Sequence, residues 1–354
     1  MPYNFRQRYA IFLASIFCVV FPSTSIAACA ESDKACLKEA QRKHPVAQAA
    51  FWQAQLAKPF EQRIGDAPAE LVDYVLLDNM LSGFPERPKI PSITAEFRRD
   101  IDSAMAEIPQ AIRRALERRL AGIYLVQGLG GSGYTDRFSS ADGKPAGAYI
   151  VLDVDVLSAR KANEWATWKE RTPFKPNKNT TLMATIETPE NDTRKNAIQY
   201  ILLHEIGHVL AIGQSIHPPW WENFKGENLS QYPFASLSWQ FSKQTGKFVS
   251  NYEENFWLRP KVVYYLGAKL NANHLEMGYA QLEATNFPTL YAATNPFDDF
   301  AESFVTYVHT VMMKKPFEVA IQRNGKTVKR FGSCWETERC KQKRVLIEEL
   351  LKEF

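Results

Sequence analysis

Past residue 21 the chain has no uninterrupted apolar run long enough to cross a bilayer, so no helical membrane span is expected there. An excess of one charge sign is also missing. Lys and Arg number 43 against 39 Asp and Glu, a formal charge of +4, which argues against nucleic acid or an anionic membrane as partner. The Arg pairs 98–99, 113–114 and 118–119 sit at helical spacings among acids and read as solvated helix faces. There is no internal repeat and no low-complexity segment, which removes solenoids and linker arrays. Cysteine and histidine are scarce, five and six in 354 residues, so clusters of either carry weight. What is abundant is apolar: 45% hydrophobic and 12% aromatic residues suffice for a substantial core and two subdomains.

The first 27 residues have the order of a secretory signal. Arg6 and Arg8 give a positive start, 10–21 is a short apolar run, and Ser25-Ile26-Ala27 places small residues for cleavage. Loss of that segment lowers the formal charge from +4 to +2 and removes Cys18. Four cysteines remain, in two local pairs: Cys29 with Cys36 and Cys334 with Cys340. An even number in an exported chain predicts two disulfides and a periplasmic or secreted location. Ile26-Ala27-Ala28-Cys29 also resembles the lipobox of bacterial lipoproteins. A lipid anchor at Cys29 would leave three thiols, and that odd number favours the soluble exported form.

Periodicity divides the remainder. Residues 34–42, 45–58 and 68–81 read as helices, and a Pro-rich connector follows at 84–91. Thr94 caps a helix with Phe97, Ile101, Ala104 and Ile108 on one face; Pro109 interrupts it, and Ile112, Leu116 and Leu120 continue the stripe. Strands are predicted at 122–129, 148–157 and 181–187, the second with Ile150, Leu152, Val154 and Val156 alternating. The glycine-rich stretch 128–133 lacks the Lys-Ser/Thr ending of a phosphate cradle and reads as a mobile connector. Residues 214–290 are aromatic-rich. Trp220, Trp221, Trp239 and Trp257 are read mainly as core of a helical lower subdomain, with a part in shaping a cleft as the alternative. A hairpin at Asn324-Gly325 and a charged helix over 336–354 close the chain.

One pentad stands out. His204-Glu205-Ile206-Gly207-His208 lies in an apolar stretch where Glu205 is the only charged residue between Gln199 and Ile212, and Gly213 supplies a helix stop. Imidazoles at i and i+4 share a helix face and can hold one zinc ion, with Glu205 beside them to take a proton from water. The bland alternative is a pair of satisfied core histidines, but two His and a Glu are costly to bury without a partner. A catalytic zinc needs a third protein ligand and an open position. The best source is 295–304, Asn-Pro-Phe-Asp-Asp-Phe-Ala-Glu-Ser-Phe, a second helix with Pro296 at its start. Asp298 and Glu302, four apart, share a face there. Either could bind zinc while the other orients a ligating His, and acids that merely favour a helix N-terminus are the alternative. His217 misses the spacing of a His-rich extension, since it lies nine beyond His208 with Gly213 at five, and His274 has no supporting motif.

The pentad with a distant acidic helix resembles the gluzincin class of zinc metallopeptidases, and 291–304 is similar to the matching stretch of the anthrax lethal-factor-like peptidases. There a Tyr stands seven residues before the acidic ligand and Phe-Ala-Glu follows the ligand. By position the resemblance implies Asp298 at the family's Glu ligand, Glu302 at its supporting acid and Tyr291 at the Tyr that assists the oxyanion. Asp is one methylene shorter than Glu, so Glu302 stays open as the ligand. Asp298 also follows His208 by 90 positions, longer than most of the class. The resemblance covers the two motifs and, as a fold, about residues 120–310.

The expected architecture is α+β. A helical N-terminal region (28–120) precedes a zincin-like catalytic domain (121–316) with a small mixed sheet, the active-site helix and a helical C-terminal subdomain; a terminal hairpin and helix (317–354) follow. In such a domain an edge strand borders the cleft and pairs with extended substrate, and 148–157 is expected in that place. The activity implied is zinc-dependent hydrolysis of a peptide or protein, with Glu205 as general base and Tyr291 as oxyanion donor. The competing reading is a non-catalytic, envelope-associated binding protein on the same scaffold.

Overall fold

The computed structural model describes residues 29–226 and 228–353; the signal segment 1–27 lies outside the described residues. Disulfides join Cys29 to Cys36 and Cys334 to Cys340, the two expected pairs. No helix among the described residues is long and apolar enough to cross a membrane.

Helices α1 (Lys34–Lys43), α2 (Ala49–Leu56) and α3 (Ala69–Ser82) open the chain. The helix expected over 45–58 is split, since Pro45 starts a separate 3-10 turn and α2 begins only at Ala49. Gly83 ends α3 at φ 86, a conformation that favours glycine. Thr94 Oγ1 accepts from Phe97 N and starts α4 (Ala95–Ala106), and Pro109 restarts the chain as α5 (Gln110–Glu117).

The main sheet has the order β1-β2-β4-β3, with β1 (Ile64–Asp66), β2 (Leu120–Val126), β3 (Gly133–Ser139) and β4 (Pro145–Asp153). β1, β2 and β4 run parallel, and β3 is antiparallel to β4. Alternation sorts the side chains by face. Ile123, Leu125, Ile150 and Leu152 join the core containing α4 and α5, while Tyr124, Val126, Tyr149 and Val151 pack with Trp52 of α2 and Leu71 of α3. The strand expected at the cleft edge is therefore interior, as burial on both of its faces requires. It also stops at Asp153, whose carboxylate accepts from Val156 N and turns the next residues into α6 (Val154–Ser158). The edge is β3, which grows out of the glycine-rich stretch read as a connector.

After α7 (Ala162–Arg171), strand β5 (Thr180–Thr185) leads to the long central helix α8 (Arg194–Ala211), capped by Thr193. The 214–290 section is mostly turns. Besides two 3-10 turns, its described residues hold α9 (Pro233–Ser236), the ribbon β6 (Trp239–Ser242) with β7 (Lys247–Ser250), and α10 (Leu275–Glu283). Prolines at 218, 219 and 233 interrupt it, so its rings form clusters instead of helical stripes. Trp239 is buried, Trp220 and Trp221 line the cleft, and Trp257 is exposed. α11 (Pro296–Tyr307) crosses α8 closely: a Cβ on Gly207 would lie 2.9 Å from the Ala301 Cα. β8 (Glu318–Arg323) and β9 (Lys326–Gly332) form the expected hairpin, with Asn324 and Gly325 both at positive φ, and extend β5 into a second sheet. The closing helix α12 (Lys341–Lys352) starts later than expected because the Cys334–Cys340 loop occupies its first turn.

Candidate metal centre

The apolar face of α8 buries it between the sheet and α11, and the same turn of helix presents His204 and His208 with ring centroids 5.0 Å apart. From α11, Asp298 Oδ1 lies 3.7 Å from His204 Nε2 and 3.5 Å from His208 Nε2. One ligand atom from each of the three side chains falls within 4.8 Å of the others. A tetrahedral ion with bonds of about 2.1 Å separates its ligand atoms by roughly 3.4 Å, so the two Asp298–His distances are within reach of one metal ion.

Glu302 sits elsewhere. Its Oε1 lies 2.8 Å from His204 Nδ1, on the ring edge away from Asp298, and 2.8 Å from Lys169 Nζ, while Thr289 donates to its Oε2 at 2.7 Å. The two acids that spacing left equivalent thus occupy different places, Asp298 before the imidazoles and Glu302 behind one of them. Asn295 fixes Asp298 twice over. Its Oδ1 caps α11 by accepting from Phe297 N and Asp298 N, and its Nδ2 donates to Asp298 Oδ2 at 2.6 Å, leaving Oδ1 for the histidines.

The electrostatics favour a cation between these groups. Burial opposes charge on His204, yet Asp298 and Glu302 outweigh it and hold the imidazole at about 9. Burial likewise opposes ionised Glu302, and Lys169 with His204 brings it down to about 2. Asp298 is held well below the usual carboxylate range against the same opposition, by His204 and His208.

Glu205 points toward β3. Thr135 Oγ1 donates to its Oε2 at 2.7 Å, and a Cβ on Gly133 would stand 2.4 Å from its Oε1. The last glycine of the glycine-rich run therefore makes room for this carboxylate. The Tyr291 ring stacks on His204 at 5.6 Å and 18°, with Lys169 Nζ 4.9 Å from the ring centroid. These groups open into a cleft of about 1100 Å³ walled by β3, Trp220 and Trp221. Among the described residues no strand covers the outer side of β3; a single bridge from Gln48 meets it at Ser139.

The other histidines are placed apart. His217 Nδ1 lies 2.9 Å from Pro218 O, and burial lowers the ring to about 4; His274 Nδ1 accepts from Asn271 N in a 3-10 turn. Sequence reasoning missed Lys169, Thr135, Gly133 and Asn295. Asn295 was legible as a cap before Pro296, and Gly133 as the glycine opening an alternating strand. Lys169 and Thr135 carried no local signal.

Comparison with protein families, curated proteins and solved structures finds no match to this chain.

Proposed function

We propose that this chain is an exported zinc-dependent metallopeptidase of the zincin type, related in its catalytic region to the lethal-factor-like gluzincins. The observation that carries the reading is the convergence of His204 Nε2, His208 Nε2 and Asp298 Oδ1, with the Glu205 carboxylate alongside in an open cleft. Zinc, when bound, supplies Lewis acidity and lowers the pKa of a water toward neutrality. The Glu302 Oε1, 2.8 Å from His204 Nδ1, favours the tautomer with its proton on Nδ1 and so leaves the Nε2 lone pair for the ion, and Lys169 keeps Glu302 ionised for that task. Asp298 is the third ligand and Glu302 the orienting acid.

Glu205, steadied by Thr135, takes the proton of the attacking water and delivers it to the leaving amine. Tyr291, above His204, donates its hydroxyl to the carbonyl oxygen as charge develops there. The open side of β3 offers backbone groups to an extended peptide. The disulfides suit an oxidising periplasmic or secreted setting.

Metal analysis of the mature chain, purified without chelator, should find one zinc per chain. His204→Ala and Asp298→Ala should lose it, and Glu302→Ala should weaken it by about 10–100-fold. Glu205→Gln should keep zinc and cut turnover of a peptide found by library screening about 10²–10⁴-fold. A zinc-free wild type, or a Glu205→Gln protein as fast as wild type, overturns the proposal. Zinc with no open position would support the non-catalytic reading.

A further inference from the structure

Tyr265 has φ 64, the left-handed region that bulky side chains rarely adopt. Two other described residues with side chains share a positive φ, and their settings are ordinary: Asn324 is in the hairpin turn and Lys314 follows the end of α11. Tyr265 lies in neither kind of place. The loop around it is tied at both ends. Tyr264 donates its hydroxyl to buried Glu170 at 3.1 Å, and Leu270 pairs with the backbone on either side of Phe174, through Lys175 N at 2.7 Å and Pro173 O at 3.0 Å. Tyr264 packs inward with its ring 4.6 Å from Tyr291, and the unusual φ sets the Tyr265 ring against Trp168 at 5.7 Å and Tyr291 edge-on at 6.1 Å.

That ring stands between two cavities. One, of about 170 Å³, is shared with His204, Glu205 and Tyr291; the other, of about 590 Å³, lies beyond it between Trp168 and Phe174. Among the described residues Tyr265 alone lines both. The smaller cavity has apolar walls in Phe84, Leu129, Trp165 and Ile201. Its Lys169 and Glu302 are paired with each other, and Asp78 accepts from Gln41. Its other carboxylates, Asp78 and Glu205, accept from the neutral Gln41 and Thr135 and so exclude an acidic side chain, while the four apolar walls favour an apolar one.

We propose that Tyr265 is a specificity-determining residue: it closes the floor of the pocket that receives the substrate side chain next to the scissile bond, and so selects a medium-sized apolar residue such as leucine or methionine. This rests on the metallopeptidase reading above. Without the ring the small cavity runs into the larger one and admits a bulky aromatic.

The test uses the zinc-loaded full chain and two peptide hydroxamates that differ in one side chain, isobutyl or naphthylmethyl, with binding followed by calorimetry. Wild type and Tyr265→Phe should bind the isobutyl compound at least tenfold more tightly. Tyr265→Ala should reverse that ranking, and so should Tyr265→Asn, whose residue tolerates the left-handed backbone and guards against a folding failure. If both compounds bind and the ranking is the same in all four proteins, the inference fails while the metal site stands. If wild type takes up no zinc, the underlying reading fails and the pocket assignment falls with it.

Discussion

Gly133 bears no side chain, yet the position of Glu205 depends on it. A Cβ there would come within 2.4 Å of the Glu205 Oε1, and what must give way is a side chain, not backbone. Gly133→Ala should therefore cost little stability while displacing the carboxylate from the place proposed for it as general base. We expect a fall in turnover of about 100-fold, the usual penalty for a misplacement near 1 Å, with zinc content unchanged. Steady-state kinetics beside metal analysis decides it; wild-type turnover would mean that Glu205 tolerates the shift. Residue-level legibility was uneven for a physical reason. His204, Glu205 and His208 are read from one helix, where a spacing of four fixes a shared face. Lys169 and Thr135 reach the site from a distant helix and strand, and no spacing encodes that.

At the scale of elements, α11 was legible and its rotation was not. Asn295-Pro296 marks its start and the acids its first turns, so its existence and polarity follow from local chemistry. Which acid meets the imidazoles depends on how α11 rolls against α8, and that is set by the close approach of Gly207 to Ala301 and by a second anchor on the far side. There Asp299 pairs with Lys343 of α12, both fully buried. Burial pushes the Lys343 ammonium down to about 8 even with Asp299 beside it. Lys343→Met should leave Asp299 buried and unpaired, a loss of about 3–5 kcal/mol in denaturant unfolding. The zinc affinity should weaken as well, because Asp298 is the next residue. Unchanged stability would show that the C-terminal helix does not brace α11.

Over the whole molecule, the N-terminal helices are docked onto the cleft strand. Trp52 stacks with Tyr149 and Phe138, and Tyr74 donates to Asp136 Oδ2 at 2.6 Å. Asp78 on α3 is pushed up to about 6, first by burial and then by the Asp136 charge. A carboxyl whose folded pKa exceeds its unfolded value stabilises while protonated. Its contribution is complete below about pH 4 and disappears as the pH rises through about 6. Asp78→Asn should thus raise the melting midpoint at pH 7, by the equivalent of about 1–2 kcal/mol, and leave it unchanged at pH 4. Equal effects at both pH values would contradict the assignment.

Local order decided much of this protein: the capped helices around Thr94 and Asn295, the histidine pair on one turn, the short-range disulfides, and the hairpin at Asn324-Gly325. Each depends on groups a few residues apart, whose geometry the backbone repeats. Strand order, the choice of Asp298 over Glu302 to face the histidines, and the partition made by Tyr265 were settled only in three dimensions. They arise from burial on two faces of a sheet and from the packing of one helix on another, forces set by partners well beyond the reach of a helical turn or a hairpin.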